Sequence, residues 1–191
     1  DRESIEVWNV QMAELGHRIH DKRKQFLEAF IPVFQKHYNS IGNVSELVEL
    51  NYRSQLNERP LDELLLEFER KDAHTRYSNA GTHKDDLLFE IKGHPVKKFG
   101  SQGQQKSFII ALRLAQYEWL KQKLGVTPVL LLDDIFDKLD HDRVKRLMTL
   151  VADHFFGQVL VTDTDEDRVR QIFSSNDLES KIFKVADGAI E

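Results

Sequence analysis

The feature that most constrains the fold is an apolar run that ends in two adjacent carboxylates. Residues 129–132 are all large and aliphatic, and Asp133 and Asp134 follow directly. A short, uninterrupted apolar run is typical of a strand that is buried on both faces of a parallel sheet. We therefore predict a central strand whose carboxyl end presents two acidic side chains, at the edge where open α/β sheets bind their ligands.

The residues after this strand alternate between helix and strand patterns. Asp140 is placed to cap a helix over about 141–154, and the pattern continues with a strand over 158–162, a helix over 165–174 and a short strand over 181–185. Because strands that are separated by helices usually form parallel sheets, this part of the chain is predicted to have an α/β fold.

A polar segment with a glycine, residues 101–106, lies upstream of the acidic pair and opens a strongly apolar helix that Gly125 is placed to end. The free N–H groups and the dipole at the start of a helix favour an anion. Ser101 supplies a hydroxyl, Gly103 permits close approach of a ligand to the backbone, and Lys106 adds positive charge. The segment is a candidate phosphate site, and an ordinary serine N-cap is the structural alternative.

The first part of the chain is predicted to be mainly helical. Apolar residues recur at three- and four-residue steps over about 3–38, which predicts a coiled-coil-like arm helix whose partner lies outside the chain. Pro32 is expected to kink or restart this helix. A strand over 44–52, a helix that begins near Pro60 and a strand over 85–91 follow. We predict two lobes, one over 1–124 and one over 125–191.

Composition excludes several classes of protein. The chain has no cysteine, so it can form neither a disulfide framework nor a thiolate zinc site, and this fits a reducing cytoplasm. No apolar stretch reaches 18 residues, so we predict no membrane partner. The net charge of −5 argues against a uniformly basic surface but leaves room for a local basic face. The chain lacks an initiator methionine and a P-loop, so we expect it to be part of a larger protein.

Other candidate residues also have structural alternatives. Two adjacent acids can form a surface turn, although two acids at the end of a buried strand are costly unless they are paired or metal-bound. Asp137 and Asp140 can form a turn and a helix cap, or a loop at an interface between two nucleotide sites. His83 is either a hydrogen-bonded structural residue or a phosphate or metal ligand. Five basic residues are either solvated surface charges or contacts to DNA phosphates: Arg18, Lys22, Lys24, Lys97 and Lys98.

Four ordered segments, 81–87, 99–106, 111–116 and 130–134, resemble the RecF family of bacterial ABC-type ATPases, which are related to the SMC proteins. The similarity extends over essentially the whole chain and matches the C-terminal half of the family, without the upstream P-loop lobe. It implies the C-terminal part of an α/β ABC-type ATPase head, in which 125–191 is the Walker B half. The remainder, 1–124, would be a helical signature-motif lobe with a short arm helix.

The resemblance also implies roles for the candidate residues. Asp133 would be the Walker B acid that holds Mg²⁺, and Asp134 would be the catalytic acid that positions a water molecule. ATP and Mg²⁺ would act in the full-length protein, as an ATP-dependent homodimer in which the signature motif reaches the ATP of the opposite subunit. The chain alone, without a P-loop, is expected to bind ATP weakly or not at all and to be inactive as an ATPase. The signature and D-loop residues would be Ser101, Gln102, Gly103, Gln104, Lys106, Asp137 and Asp140.

RecF proteins bind single- and double-stranded DNA at gaps and junctions, and with RecO and RecR they help load the RecA recombinase. The resemblance therefore implies a cytoplasmic protein of recombinational and replication-gap repair. The alternative is a non-hydrolysing SMC-type structural module whose arm mainly binds other proteins. An arm of roughly 36 residues would be only about 54 Å long, which is short for a tether and favours the RecF interpretation. An unrelated nucleotide-binding enzyme would need a catalytic pattern for its substrate, and the sequence has none.

Three positions depart from the family pattern. Thr82 stands where the family has the proline of a Gly-Pro-His segment. Asp134 stands where most ABC ATPases have glutamate, although an Asp-Asp pair is usual in RecF proteins, and this aspartate implies slow hydrolysis. No switch histidine follows the second strand, so Thr162 or Asp163 is left to sense the phosphate.

Overall fold

The computed structural model describes residues 2–42, 46–152, 154–175 and 180–190. The chain divides into two compact units, one made of residues 1–36 and 45–100 and the other of residues 37–44 and 101–191. The helix that follows Ser101 therefore lies in the same unit as the acidic strand. The lobe boundary between residues 124 and 125 stays a prediction.

The predicted arm helix is present as α1, Arg2–Ile41. It continues through Pro32, so the predicted restart is wrong: the proline removes a single backbone donor, and the turns on both sides keep the helix intact. Several apolar side chains of its stripe, among them Trp8, Leu15 and Ile19, are exposed. None of the described helices has the combination of length and apolarity that crossing a membrane requires.

The first unit contains a small antiparallel sheet and two further helices. Strands β1 (Val48–Arg53), β2 (Asp86–Ile91) and β3 (His94–Pro95) pair in that order, and α2 (Leu61–Thr75) lies between β1 and β2 in the chain. A one-turn helix, α3 (Val96–Phe99), ends the unit and was not predicted. The predicted first strand began at Val44, which lies outside the described residues. The core of this unit consists of Ala13, Leu56, Leu61, Leu64, Leu65 and Ala80.

The second unit confirms the alternating pattern over most of its length. Its elements are α4 (Gln102–Leu124), β4 (Leu130–Asp133), α5 (His141–Ala152), β5 (Val159–Thr162) and α6 (Glu166–Ser175). Strands β4 and β5 are parallel, and Asp133 pairs with Thr162 in their register. Gly125 ends α4 in the left-handed conformation, as predicted. The most deeply buried core residues include Leu114, Leu147, Met148 and Phe156.

The predicted third parallel strand over 181–185 is wrong. Residues 181–184 are not in a strand, and β6 (Val185–Ala186) instead forms an antiparallel hairpin with β7 (Ala189–Ile190). Asp187 and Gly188 both have positive φ, which is the two-residue turn that an Asp-Gly pair favours. The parallel sheet of the described chain therefore has two strands.

The acidic strand is buried on one face only, which corrects the prediction of a strand covered on both sides. Leu130 and Leu132 belong to the core, whereas Leu131 is 68% exposed and Leu160 on β5 is 48% exposed. Residues of α4 and α5 cover the buried face, and no described residue buries the side chains of the other. Leu130 and Leu132 anchor the strand, and Asp133 follows at its end.

A glycine in α1 offers a direct test of the packing in the first unit. A Cβ at Gly16 would lie 2.3 Å from Cδ2 of the fully buried Leu61. Gly→Ala in a helix interior normally stabilises by roughly 0.5–1 kcal/mol, but here the overpacking is expected to lower the free energy of unfolding by about 1–3 kcal/mol. Thermal and denaturant unfolding of the full-length protein with Gly16→Ala would measure the change.

The matched control removes the neighbour of Gly16. In a Leu61→Ala background the added methyl group has room, so Gly16→Ala should then be stabilising. The same sign in both backgrounds would contradict the packing of α1 on α2.

Candidate functional site

The two acids of the predicted site lie where β4 ends. The side-chain hydroxyl of Thr162, at the end of the neighbouring β5, donates a short hydrogen bond to the carboxylate of Asp133. The same oxygen accepts the backbone N–H of Asp134 at 3.3 Å. The hydroxyl of Thr162 therefore contacts both acidic residues: the carboxylate of Asp133 and the backbone N–H of Asp134.

The backbone of Asp134 has an unusual conformation that is held from two sides. Its φ is +45°, in the left-handed region that residues with a Cβ rarely adopt. Besides the bond to Thr162, its carbonyl oxygen accepts a hydrogen bond from the Lys106 ammonium at 2.8 Å. Such strain persists only where surrounding groups determine it, and it concentrates at functional sites. The Asp134 carboxylate remains exposed.

Residues 102–106 are the first turns of α4 and not a free turn, which refines the predicted phosphate segment. Ser101 is the N-cap: its hydroxyl oxygen accepts the N–H of Gln104 at 3.2 Å, and the Gln104 side chain accepts the N–H of Ser101 at 2.8 Å. An α-helix supplies no intrahelical acceptor for the amides of its first turn. The N–H groups of Gln102 and Gly103 therefore lie at the positive end of the helix dipole, where an anion is favoured.

Gly103 has a second, steric reason to be glycine. A Cβ at this position would lie 3.3 Å from the carbonyl oxygen of Lys138, in the loop that follows the acidic pair. Lys138 itself has a φ of +64°, and its ammonium lies 3.8 Å from the carboxylate of Asp137. The start of α4 and the loop over 135–140 are thus in close contact within one unit.

Asp140 caps α5, as predicted, by accepting the backbone N–H of Arg143 at 2.9 Å. The same carboxylate accepts Nε–H of Arg143 at 3.1 Å, and Arg143 also donates to the hydroxyl of the fully buried Ser107 on α4 at 2.9 Å. Arg143 and Ser107 were not predicted from the sequence. A serine on the buried side of an apolar helix was the available signal, because a buried hydroxyl needs a partner.

The structure separates the two switch candidates. Asp163 has a fully buried carboxylate that accepts two hydrogen bonds from Arg168, at 2.6 and 2.7 Å, and one from the backbone N–H of Asp165 at 2.8 Å. Burial by itself would raise the pKa of Asp163, but the hydrogen bonds and the charge of Arg168 outweigh it and lower the pKa below its ordinary value. The carboxylate of Asp163 is therefore occupied by Arg168, whereas the hydroxyl of Thr162 contacts Asp133 and Asp134.

The donor set at the acids fits one Mg²⁺ ion of a nucleotide site. Magnesium binds one or two carboxylates and completes its shell with phosphate oxygens and water, and the exposed carboxylate of Asp133 is such a ligand. Within the part of the chain that the structure describes, no group of three or more His, Cys, Asp or Glu side chains could hold a metal ion. A Mg²⁺ ion bound by Asp133 would complete its coordination with water or phosphate oxygens.

The remaining candidates lie in the first unit. His83 bonds through Nε2 to the carbonyl oxygen of Ser78 at 2.9 Å, which favours its structural interpretation. Arg18, Lys22 and Lys24 lie on α1, and Lys97 and Lys98 lie on α3.

Comparisons with known proteins agree on one family. The chain is 49% identical over 185 residues to the "DNA replication and repair protein RecF" of Flavobacterium johnsoniae, and 44% identical over 191 residues to that of Phocaeicola vulgatus. These matches cover 97% and 100% of the chain and 52% of each relative. No family model matches the chain.

The chain belongs to the RecF family and corresponds to its C-terminal half.

Solved structures agree with this assignment. The fold matches a structure of the recombination mediator protein RecF with ATP, "in RecFOR pathway", at a TM-score of 0.75 and 26% identity over 99% of the chain and 50% of that protein. A second solved structure, that of RecF-ATPrS, matches at a TM-score of 0.75 and 25% identity over 100% of the chain and 51% of that protein. The predicted fold class, an α/β part of an ABC-type ATPase head, is confirmed. The chain spans about half the length of these RecF proteins.

The Asp163–Arg168 pair gives a pH-dependent prediction. Because the pKa of Asp163 is lowered by folding, its stabilisation is present above the unfolded-state pKa of about 3.9 and is lost as the pH falls through the folded value. We expect Asp163→Asn to lower the free energy of unfolding of the full-length protein by about 2 kcal/mol at pH 7. The difference from the wild type should shrink as the pH falls below 4 in denaturant titrations.

Glu166→Gln is the control for this prediction. Glu166 pairs with Arg170 at 2.8 Å, but both side chains are largely exposed, and exposed pairs contribute little. An equal effect of the two substitutions, or a pH-independent effect of Asp163→Asn, would contradict the assignment.

Proposed function

We propose that this chain is the signature and Walker B half of an ATPase that controls DNA binding during replication-gap and recombinational repair. The observation that carries the proposal is the arrangement around Asp134. Its strained backbone is held between Lys106 on α4 and Thr162 on β5, with Asp133 beside it at the end of a parallel strand. RecF relatives that carry the name DNA replication and repair protein supply the biological context.

The two acids take different parts in the proposed reaction. Asp133 would hold Mg²⁺, which would supply charge stabilisation for the phosphates when bound. The exposed carboxylate of Asp134 orients the attacking water. Aspartate is one methylene shorter than glutamate, so its reach to the water is shorter, and we expect slow hydrolysis. Thr162 takes the switch position, because Asp163 is occupied by Arg168.

The start of α4 acts as the signature motif in this proposal. The hydroxyl of Ser101 and the amides of Gln102 and Gly103 bind the terminal phosphate of ATP, while Gln104 holds the cap and Lys106 adds positive charge. Asp137 and Asp140 belong to the D-loop. As in the ABC-type ATPases that the chain resembles, we propose that the signature contacts ATP bound by the P-loop of a second copy of the full-length protein, which makes dimerisation ATP-dependent. The 191 residues contain no P-loop and should bind ATP weakly or not at all.

The proposed partners follow from membership of the RecF family. We propose binding to single- and double-stranded DNA at gaps and junctions, with RecR and RecO as protein partners in recombinase loading. The cytoplasm, where the bacterial chromosome lies, is the expected location. Support comes from the structural match to a recombination mediator protein of the RecFOR pathway.

A non-hydrolysing SMC-type interaction module is the second candidate. Its supporting observation is the exposed apolar stripe of α1, which is suited to another helix. The 40 residues of α1 give a length of about 60 Å, too short for an extended tether. A module that does not hydrolyse ATP would not need an acid that orients a water molecule, which is the part proposed for Asp134, so we favour the ATPase.

Complementation tests the composite site. In the full-length protein with DNA present, Ser101→Arg and Asp134→Asn variants should each lose ATPase activity. A mixed dimer holds one intact site, made of Asp134 from the first variant and Ser101 from the second. We expect mixing to restore part of the wild-type rate of phosphate release. No recovery in a mixture that demonstrably exchanges subunits would overturn the trans arrangement.

A second prediction concerns Thr162. Thr162→Val keeps the shape of the side chain but removes the hydroxyl that contacts both acidic residues, so we expect kcat for ATP hydrolysis to fall about tenfold or more. Thr162→Ser should retain most of the activity. Thr164→Val, two residues further along an exposed segment, is the matched control. Equal activities of the Thr162→Val and Thr164→Val proteins would remove Thr162 from the mechanism.

A further inference from the structure

A loop in the first unit, residues 76–84, combines positive charge with an exposed aromatic ring. Between Asp72 and Asp85 the sequence contains Arg76, Lys84 and two histidines but no acidic residue, although the chain as a whole carries a charge of −5. Tyr77 is 56% exposed, and the Lys84 ammonium lies 5.1 Å from the centre of its ring. We call residues 76–84 the Tyr77 loop.

The acids at the two ends of this loop are already engaged by other groups. Asp72 accepts hydrogen bonds from the backbone and side-chain amides of Asn79, at 2.9 and 2.6 Å. The carboxylate of Asp85 is 4% exposed and pairs with Arg23 at 2.5 Å. Arg23 also donates to the carbonyl oxygen of Thr82 at 2.7 Å, and its charge is balanced by Asp85. Because Asp72 keeps its charge, residues 72–85 together with Arg23 have a net formal charge of +1, which favours an anion.

The backbone of the loop is held by hydrogen bonds from Gln55 and within the loop itself. The amide of Gln55 donates to the carbonyl oxygen of Asn79 at 3.3 Å and accepts the N–H of Gly81 at 3.2 Å. His83 bonds to the carbonyl oxygen of Ser78, and Ala80 is fully buried. The side chains of Tyr77 and Lys84 are thus presented on a rigid support, which reduces the entropy lost when a ligand binds.

We propose that the Tyr77 loop binds single-stranded DNA, with Tyr77 stacked on an unpaired base and Arg76 and Lys84 at the flanking phosphates. Exposed aromatic rings combined with cations are the means by which proteins bind single strands without regard to sequence. The bases of a duplex are stacked on one another and hidden from such a ring, so duplex DNA would engage the cations alone. This inference rests on the proposed DNA-binding function and assigns it a contact site.

The test uses the full-length protein with ATP and compares two fluorescent probes, oligo-dT and a blunt-ended duplex with the same number of phosphates. Tyr77→Ala is expected to raise the Kd for oligo-dT about fivefold or more and to leave the Kd for the duplex unchanged. Tyr77→Phe, which keeps the ring, should bind oligo-dT like the wild type. Unchanged ATPase activity without DNA would show that the Tyr77→Ala protein is folded.

The charge is tested separately. Lys84→Gln should reduce the slope of log K for oligo-dT against log salt concentration by about 0.7, the value for one phosphate contact on a single strand. Lys145→Gln, on α5 in the other unit, makes the same charge change and should leave the slope unaltered.

The outcomes separate this inference from the function on which it rests. If the wild type binds neither probe, the proposed DNA-binding function fails and the loop assignment fails with it. If the wild type binds DNA but Tyr77→Ala and Lys84→Gln bind oligo-dT as the wild type does, only the loop assignment is overturned. An equal rise in the Kd of both probes in the Tyr77→Ala protein would also overturn it. A contact made only to unpaired bases contributes nothing to duplex binding, so its removal should leave the Kd for the duplex unchanged.

Discussion

The second unit depends on how the backbone of Asp134 is held. A left-handed aspartate is strained, and here it is fixed by a hydroxyl from β5 on its N–H and by an ammonium from α4 on its carbonyl oxygen. This conformation ends β4 and sets the direction of the loop that leads to Asp140 and α5. The position of two acids therefore depends on side chains that come from two other elements.

The same helix that begins at Ser101 reaches the loop after the acids in two further ways. Gly103 leaves just enough room for the Lys138 carbonyl, and Arg143 joins the Asp140 carboxylate to the buried Ser107. A displacement of α4 would therefore disturb contacts to Asp134, Lys138 and Asp140 at the same time. Under the proposed dimer, this gives each chain a physical connection between the phosphate it contacts in its partner and the acids it supplies to its own site.

Local signals carried most of the sequence-based prediction. The β4 pattern, the Asp140 cap and the Gly125 stop depend on neighbouring residues, and all three are present. The Asp187-Gly188 pair was an equally local signal for a hairpin turn. The alternation of strands and helices upstream favoured a third parallel strand instead. The roles of the site residues came from the family resemblance. Arg143 and Ser107 are 36 positions apart, so no local pattern indicates their contact. The choice of Thr162 over Asp163 required knowing which side chain Arg168 occupies.

The open face of the β4–β5 sheet affects how any stability measurement is to be understood. Leu131 and Leu160 present apolar surface to water, and a two-stranded sheet gains little stability by itself. A surface that covered these leucines would bind the folded state and not the unfolded one, so it would add to the free energy of unfolding by mass action. The melting temperature of the chain produced on its own would then rise with the concentration of that surface. It would be a property of an association equilibrium as much as of these 191 residues.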